Sequence, residues 1–284
     1  MHPAAIVLHY GLEIFEGLQA YRLPDGGAAL FRPDSNARRF NGSARRLGMP
    51  PLPEGLLVAS ASTPISHERA WIPHSEGASL YLRPFMIGTE AALGVRPPQN
   101  FLYAVLASPV DDYIRAAPGG TDAAKCGGNY ASGLAAQARE HGCDQVVFLD
   151  AIERKWIGKF GAMNAFFLLD NDRLLTPPLS DSILAGITRD TLITLARDLG
   201  YTVLETPYSI DQWQNDARSG RLREAFSCGT ATVITAVGQV KGKHHNFLII
   251  CGQPGPVTQK YKKALTNIQF GLAPDPHGWR KRLF

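Results

Sequence analysis

The chain has 284 residues, 45% of them apolar and 19% charged, with a formal net charge of +4. That length supports a substantial core and a division into two domains, and the composition excludes large-scale disorder. The basic residues fall in short patches such as Arg38-Arg39, Arg45-Arg46 and Lys260-Tyr261-Lys262-Lys263, which favour small anionic ligands and leave no footprint for nucleic acid.

In chain order, the first half reads as short strands joined by glycine and proline turns: Ala28 to Phe31 after Asp25-Gly26, Ser79 to Arg83 before Pro84, and Phe101 to Ser108 before Pro109. A helix is predicted between Asn36 and Leu47, with Asn36 as its cap. The stretch Pro109 to Ala117 reads as a linker. The domains are therefore expected over 1–110, a small α/β unit, and 118–284, a larger one, joined by 111–117. The segment AAPGGTDAAKCGGNY (116–130) sets one lysine, Lys125, between two glycine pairs, where small neighbours leave room for a ligand on its amine.

In the second half, Tyr130 to His141 has helical composition and stops at Gly142. Gln145 to Asp150, Asn164 to Leu169 and Thr230 to Val237 are apolar runs of strand length. Ile187 to Leu199 is a predicted helix between Gly186 and Gly200. The unpaired N–H groups at its start, after Gly186, suit a phosphate. The cysteines Cys126, Cys143, Cys228 and Cys251 form no CxxC pair, so the spacing indicates neither zinc nor a disulfide framework and fits a reduced compartment. The start MHPAAIVLHYG has no signal-like pattern and no run of about 18 apolar residues occurs, so the expectation is a cytoplasmic protein without a membrane partner.

Seven words carry a family resemblance: LHYGLEIFEGLQAYR (8–22), LFRPDSNARRFNGSARRLGMP (30–50), LYLRPFMIGTEAALGV (80–95), AAPGGTDAAKCGGNYA (116–131), GAMNAFF (161–167), LLTPPLSDSILAGITRDTL (174–192) and FSCGTATVITAVG (226–238). In this order, across almost the whole chain, they resemble the branched-chain amino-acid aminotransferases, fold type IV enzymes dependent on pyridoxal 5'-phosphate. The resemblance implies an α/β (α+β) two-domain fold and a homodimer in which one subunit's small domain helps close the other's site. It implies that Lys125 bonds the cofactor aldehyde and later moves the substrate α-proton. Arg39, Gly186, Ile187, Thr188 and Thr230 would hold the phosphate, with Tyr130 near the ring oxygen. Tyr10, Phe15, Tyr81, Arg83 and Ala231 would line the substrate side.

The chain departs from that pattern at several places. The family has a glutamate facing the pyridine nitrogen two positions before the glycine of the GTMN-type word, and here Lys159 stands there. A carboxylate would keep the ring nitrogen protonated and an ammonium opposes that proton, so slower transamination is expected. Glu153 and Glu140 lie too far along the chain to take over easily. Ala162 replaces a threonine that helps hold the ring, which removes one hydrogen bond. Only Val110 to Tyr113 remains where the family has an interdomain loop and a strand, which leaves the geometry near Arg115 open, and the usual amino-terminal strands do not precede residue 1. The reading is amino-group transfer between an apolar amino acid and a 2-keto acid, in a divergent role. The alternatives are a repurposed fold catalysing a cyclisation, isomerisation or elimination, with or without the cofactor, and a pseudoenzyme.

Overall fold

A computed structural model describes residues 1–75, 77–94, 96–110, 125–126, 138–139 and 141–284. By contacts, the described residues of Met1–Asp112, with Lys125, Cys126 and Asn267–Phe284, form one unit, and those of Tyr130–Thr266 form a second. This grouping differs from the sequence reading, which kept 118–284 together. A C-terminal strand, Arg280–Arg282, pairs antiparallel with Ala29–Phe31 and so ties the chain end to the first unit.

The first unit contains α1 (Ile6–Tyr10), β1 (Glu13–Phe15), β2 (Leu18–Arg22), β3 (Ala28–Phe31), α2 (Pro33–Arg46), α3 (Glu54–His67), β4 (Ser79–Gly88) and β5 (Phe101–Val110). Its antiparallel sheet runs β1-β4-β2-β3-C-terminal strand, with β5 on the other side of β4. Alternation along the strands sorts the side chains. Ile14, Leu18, Leu80, Leu82 and Met86 are buried on one face, in clusters that include Ala37 and Phe40 of α2 and Leu57 and Ala61 of α3. Phe15, Gln19, Tyr81, Arg83 and Phe85 take the other face, as the pairings Phe15 with Phe85 and Gln19 with Tyr81 require.

Three boundaries differ from the sequence reading, one of them in β5, which runs through Pro109 to Val110 instead of ending at Ser108. The helix begins at Pro33, not at Asn36, with Arg32 at the cap position; proline's fixed φ suits the first helical turn. Asn36 is buried inside the helix and donates from Nδ2 to Glu16 Oε2 at 2.7 Å. β4 continues through Pro84 to Gly88, because Pro84 falls where β4 passes from β2 to β1 and its carbonyl accepts from the Glu16 N–H at 2.7 Å.

The second unit contains β6 (Val147–Leu149), β7 (Ile157–Phe160), β8 (Met163–Leu169), β9 (Arg173–Thr176), α4 (Ile187–Asp198), β10 (Thr202–Glu205), α5 (Ile210–Ser219), β11 (Leu222–Gly229), β12 (Val233–Ala236), β13 (Gln239–Lys241), β14 (Asn246–Leu248) and α6 (Pro256–Gln269). Its main sheet runs β10-β9-β8-β11-β12, with β7 joining β8 and β6 joining β7. Every residue of β8 is buried, the mark of a strand covered on both faces. On one face Phe167, Tyr208 and the fully buried Trp213 pack together; on the other Phe166 stacks on Phe226 at 5.3 Å, with Tyr261 of α6 beyond it.

The α4 expectation agrees with the structure to within a residue. The strand expected over Thr230–Val237 begins only at Val233: β11 runs to Gly229, and Thr230–Thr232 make the turn that reverses the chain into its antiparallel partner. The strand expected over Gln145–Asp150 spans Val147–Leu149, and the Asp150 carboxylate then gathers four backbone N–H groups, from Ile152, Glu153, Lys155 and Trp156. Those bonds, chiefly from Lys155 and Trp156, hold its pKa well below the usual carboxylate range. Tyr130 and almost all of the helix expected over Tyr130–His141 lie outside the described residues, as do Arg115 and Glu140.

Candidate functional site

In the first unit, Lys125 is fixed by its backbone on both sides. Its N–H donates to Ser43 Oγ at 2.9 Å and its carbonyl accepts from the Phe15 N–H at 2.8 Å. The next residue, Cys126, is buried in the cluster with Ile14 and Phe40 and anchors the segment. The lysine Nζ lies 4.8 Å from the centre of the Phe15 ring, and the Arg83 guanidinium lies 4.3 Å from the same ring. The negative faces of the ring suit both cations. Arg83 also donates from Nη2 to Tyr81 Oη at 2.8 Å. A Cβ at Gly17 would stand 2.3 Å from Tyr81 Oη, so only glycine leaves room for that hydroxyl. Four of the expected residues, Phe15, Tyr81, Arg83 and Lys125, are therefore brought together. Tyr10 is half exposed at the end of α1, and its hydroxyl donates to the Leu93 carbonyl.

Arg39 projects from α2 and meets Glu16, a residue the sequence reading missed. Arg39 Nε donates to Oε1 and Nη2 to Oε2, each at 2.7 Å, and Glu16 has no exposed surface. This bidentate bond takes two of the guanidinium's five N–H groups and fixes its plane. The FEG word carried the only signal: an acid between an aromatic residue and a glycine.

In the second unit, strand register sets up the surface. Phe148 pairs with Lys159, Lys159 with Asn164, Asn164 with Cys228, and Cys228 with Ile234, so one row crosses β6, β7, β8, β11 and β12. Residues directly opposite in antiparallel strands share a face. Lys159 is half-buried, with Nζ 5.3 Å from the Phe148 ring. Asn164 donates from Nδ2 to the Leu184 carbonyl at 3.0 Å, and a Cβ on Gly186 would lie 2.1 Å from its Oδ1. Gly186 thus lets the start of α4 approach this row. That start has no side-chain cap, and Thr188 in its first turn is buried.

Ala162 follows Gly161 in the two-residue turn between β7 and β8; Gly161 carries the positive φ, 57°, so an alanine is accommodated after it. Thr230 and Ala231 are half-buried in the turn after β11. Thr232 braces that turn by donating to Met163 Sδ at 3.2 Å, and Val233 completes it at φ 55°, a strained value for a β-branched residue. Glu153 is exposed and accepts from Trp156 Nε1 at 3.1 Å, away from the Lys159 row. Burial pushes the Cys228 thiol up, which keeps it protonated and inert. Among the described residues no group of His, Cys, Asp and Glu could hold a metal ion, and no helix is long and apolar enough to cross a membrane.

The fold is of the mixed α/β class. Residues 13–240 match the family model for class IV amino-transferases, and the chain belongs to that family. Its relatives include the probable branched-chain-amino-acid aminotransferase of Streptomyces coelicolor, 49% identical over all of this chain and 83% of the relative. The structure is similar to the branched-chain amino acid aminotransferase of Escherichia coli, with TM-score 0.81, 30% identity and coverage of 100% of this chain and 93% of that one. It is also similar to the T.th. branched-chain aminotransferase solved with pyridoxamine 5'-phosphate, with TM-score 0.82, 29% identity and the same coverage.

Proposed function

We propose that this protein transfers the amino group of an apolar, branched-chain type amino acid to a 2-keto acid with pyridoxal 5'-phosphate, and that Lys159 slows the reaction. The carrying observation is Lys125, held through both backbone groups with its amine on the Phe15 ring. The donor set suits a phosphorylated aldehyde at two of its ends. Lys125 offers the amine, while Arg39, the α4 start and the hydroxyls of Thr188 and Thr230 offer the phosphate donors.

When bound, the cofactor supplies an aldehyde for the amine and a ring that takes up the electron pair left by the departing α-proton. Lys125 would hold the cofactor through its Nζ, and the same Nζ would take the proton from the substrate α-carbon. Glu16 keeps the Arg39 fork in one plane. Phe15 and Tyr81 give the substrate side chain an apolar wall, and Arg83 gives the keto acid a cation. Tyr130 would stand near the ring oxygen, and Ala162 and Ala231 would contribute backbone there.

Lys159 favours the divergent role, since its ammonium opposes the ring-nitrogen proton that makes the ring an electron sink. The same residue supports the second reading, in which Lys125 acts as a base in a different reaction. The exposed Leu102 and Leu106 of β5, on the face that carries Arg83, support a homodimer closed through that edge.

The test is transamination of leucine with 2-oxoglutarate after incubation with pyridoxal phosphate. Activity is expected to be low, to vanish in Lys125→Ala and to rise about tenfold or more in Lys159→Glu, the gain tracking the restored ring-nitrogen partner. Unchanged activity in Lys125→Ala would refute the proposal. No gain in Lys159→Glu would remove that residue from the ring nitrogen.

A further inference from the structure

In the first turn of α4, the residue after Ile187 and Thr188 is Arg189, and its side chain is only 5% exposed. A buried guanidinium at a helix start adds a positive charge where the helix dipole is already positive, an arrangement that folding alone disfavours. Contacts on two sides hold it there. A Cβ on Gly186 would meet the Arg189 Cβ at 3.3 Å, so the side chain sets out against the glycine. Its Nη2 donates to the Pro177 carbonyl at 2.9 Å, just past the end of β9, and to Glu205 Oε2 at 2.8 Å, at the end of β10. One side chain therefore ties the α4 start to the ends of two parallel strands.

Those bonds leave the cation incompletely satisfied. Nε is buried and has no hydrogen-bond partner among the described residues. Glu205 is 42% exposed and also stands 4.0 Å from Arg197, so water screens this acid more than it screens the buried cation. Asp190, the acid of the first turn, is exposed and lies about 100° round the helix from Arg189. On the sheet side, the guanidinium is close enough to lower the pKa of the buried Cys228 thiol, against the larger effect of burial. Cys228 pairs with Asn164, whose Oδ1 a Cβ on Gly186 would strike. The charge thus lies beside the row that the helix start approaches.

We propose that Arg189 is a positioning residue for phosphate binding at the α4 start: it holds the unpaired N–H groups of that start against the sheet, and its under-compensated charge favours a phosphate over a neutral group there. The proposal rests on the reading that the cofactor's phosphate lies at this helix start. Helix N–H groups hold an anion best when the first turn is fixed, and a cation behind them acts on the same oxygens. The role needs an arginine, because a lysine has no planar fork with which to bridge a carbonyl and a carboxylate.

The experiment compares the binding of pyridoxal phosphate and of pyridoxal to the cofactor-free protein, read by protein fluorescence. The two share the aldehyde that meets Lys125 and differ by the phosphate. Arg189→Met is expected to weaken pyridoxal phosphate about tenfold or more and pyridoxal less than about twofold. Arg189→Lys, which keeps the charge without the fork, is expected to lose about threefold, again only for the phosphorylated ligand, and it carries the test if the methionine variant fails to fold. Glu205→Gln keeps an oxygen acceptor for Arg189 and removes the acid's charge, so binding of pyridoxal phosphate should hold or tighten. Equal losses for both ligands, no loss in the Arg189 variants, or a loss of about tenfold in Glu205→Gln would overturn the proposal. If the wild type takes up no pyridoxal phosphate, the proposed transamination fails, and inorganic phosphate then tests Arg189 alone. Thermal stabilisation by phosphate that disappears in Arg189→Met supports the proposal; equal stabilisation of both proteins, or none of either, overturns it.

Discussion

Arg39 and Glu16 show why a single residue's part cannot be read from its own position. An arginine in a helical word could as well lie on the surface, and it is the fully buried carboxylate opposite that holds it inside. Removing one member of a buried ion pair leaves the other charge without compensation and costs far more than the pair's net contribution. Glu16→Gln is therefore expected to lower the unfolding free energy by about 3 kcal/mol, measured by urea denaturation, with Arg39→Leu added to Glu16→Gln recovering part of it. A loss below about 1 kcal/mol would mean that the pair is relaxed and solvated in solution. Glu16 was hidden from the sequence reading because its partner stands 23 residues away on another element. Lys159 was legible at once, because a cation standing where a carboxylate is expected needs no partner to be noticed.

At the scale of elements, the sequence indicated whatever is local. α4 lies between Gly186 and Gly200 with a periodic apolar face, and the structure gives Ile187–Asp198. Where pairing across the sheet decides, local reading failed. β4 runs through a proline, and β12 starts three residues late because Thr230–Thr232 are needed to turn. α5 went unread although Ser209 and Gln212 form a capping box, an S-x-x-Q signal present in the sequence. Pairing also leaves β5 as an edge: among the described strands it pairs only with β4, along ten residues, with Leu102 and Leu106 exposed. A long apolar edge invites a second chain. For the proposed homodimer, Leu106→Asp is expected to give the 30.9 kDa monomer in sedimentation equilibrium, with folding retained. A dimer unchanged by that substitution would place the interface elsewhere.

For the whole molecule, the family words fix the class, and contacts assign the residues to units in a way the words do not. Lys125 and the chain's last residues belong with the first unit, while Lys159, Asn164 and the α4 start belong with the second. The first unit carries an aromatic ring with two cations beside it, and the second a row of side chains leading to a helix start that has no side-chain cap. Lys125 is proposed as the amine that holds the cofactor. Incubation with pyridoxal phosphate, borohydride reduction, proteolysis and mass spectrometry test this directly: a pyridoxyl group is expected on the peptide containing Lys125 and on no other, and a label on Lys159, or none at all, would refute it.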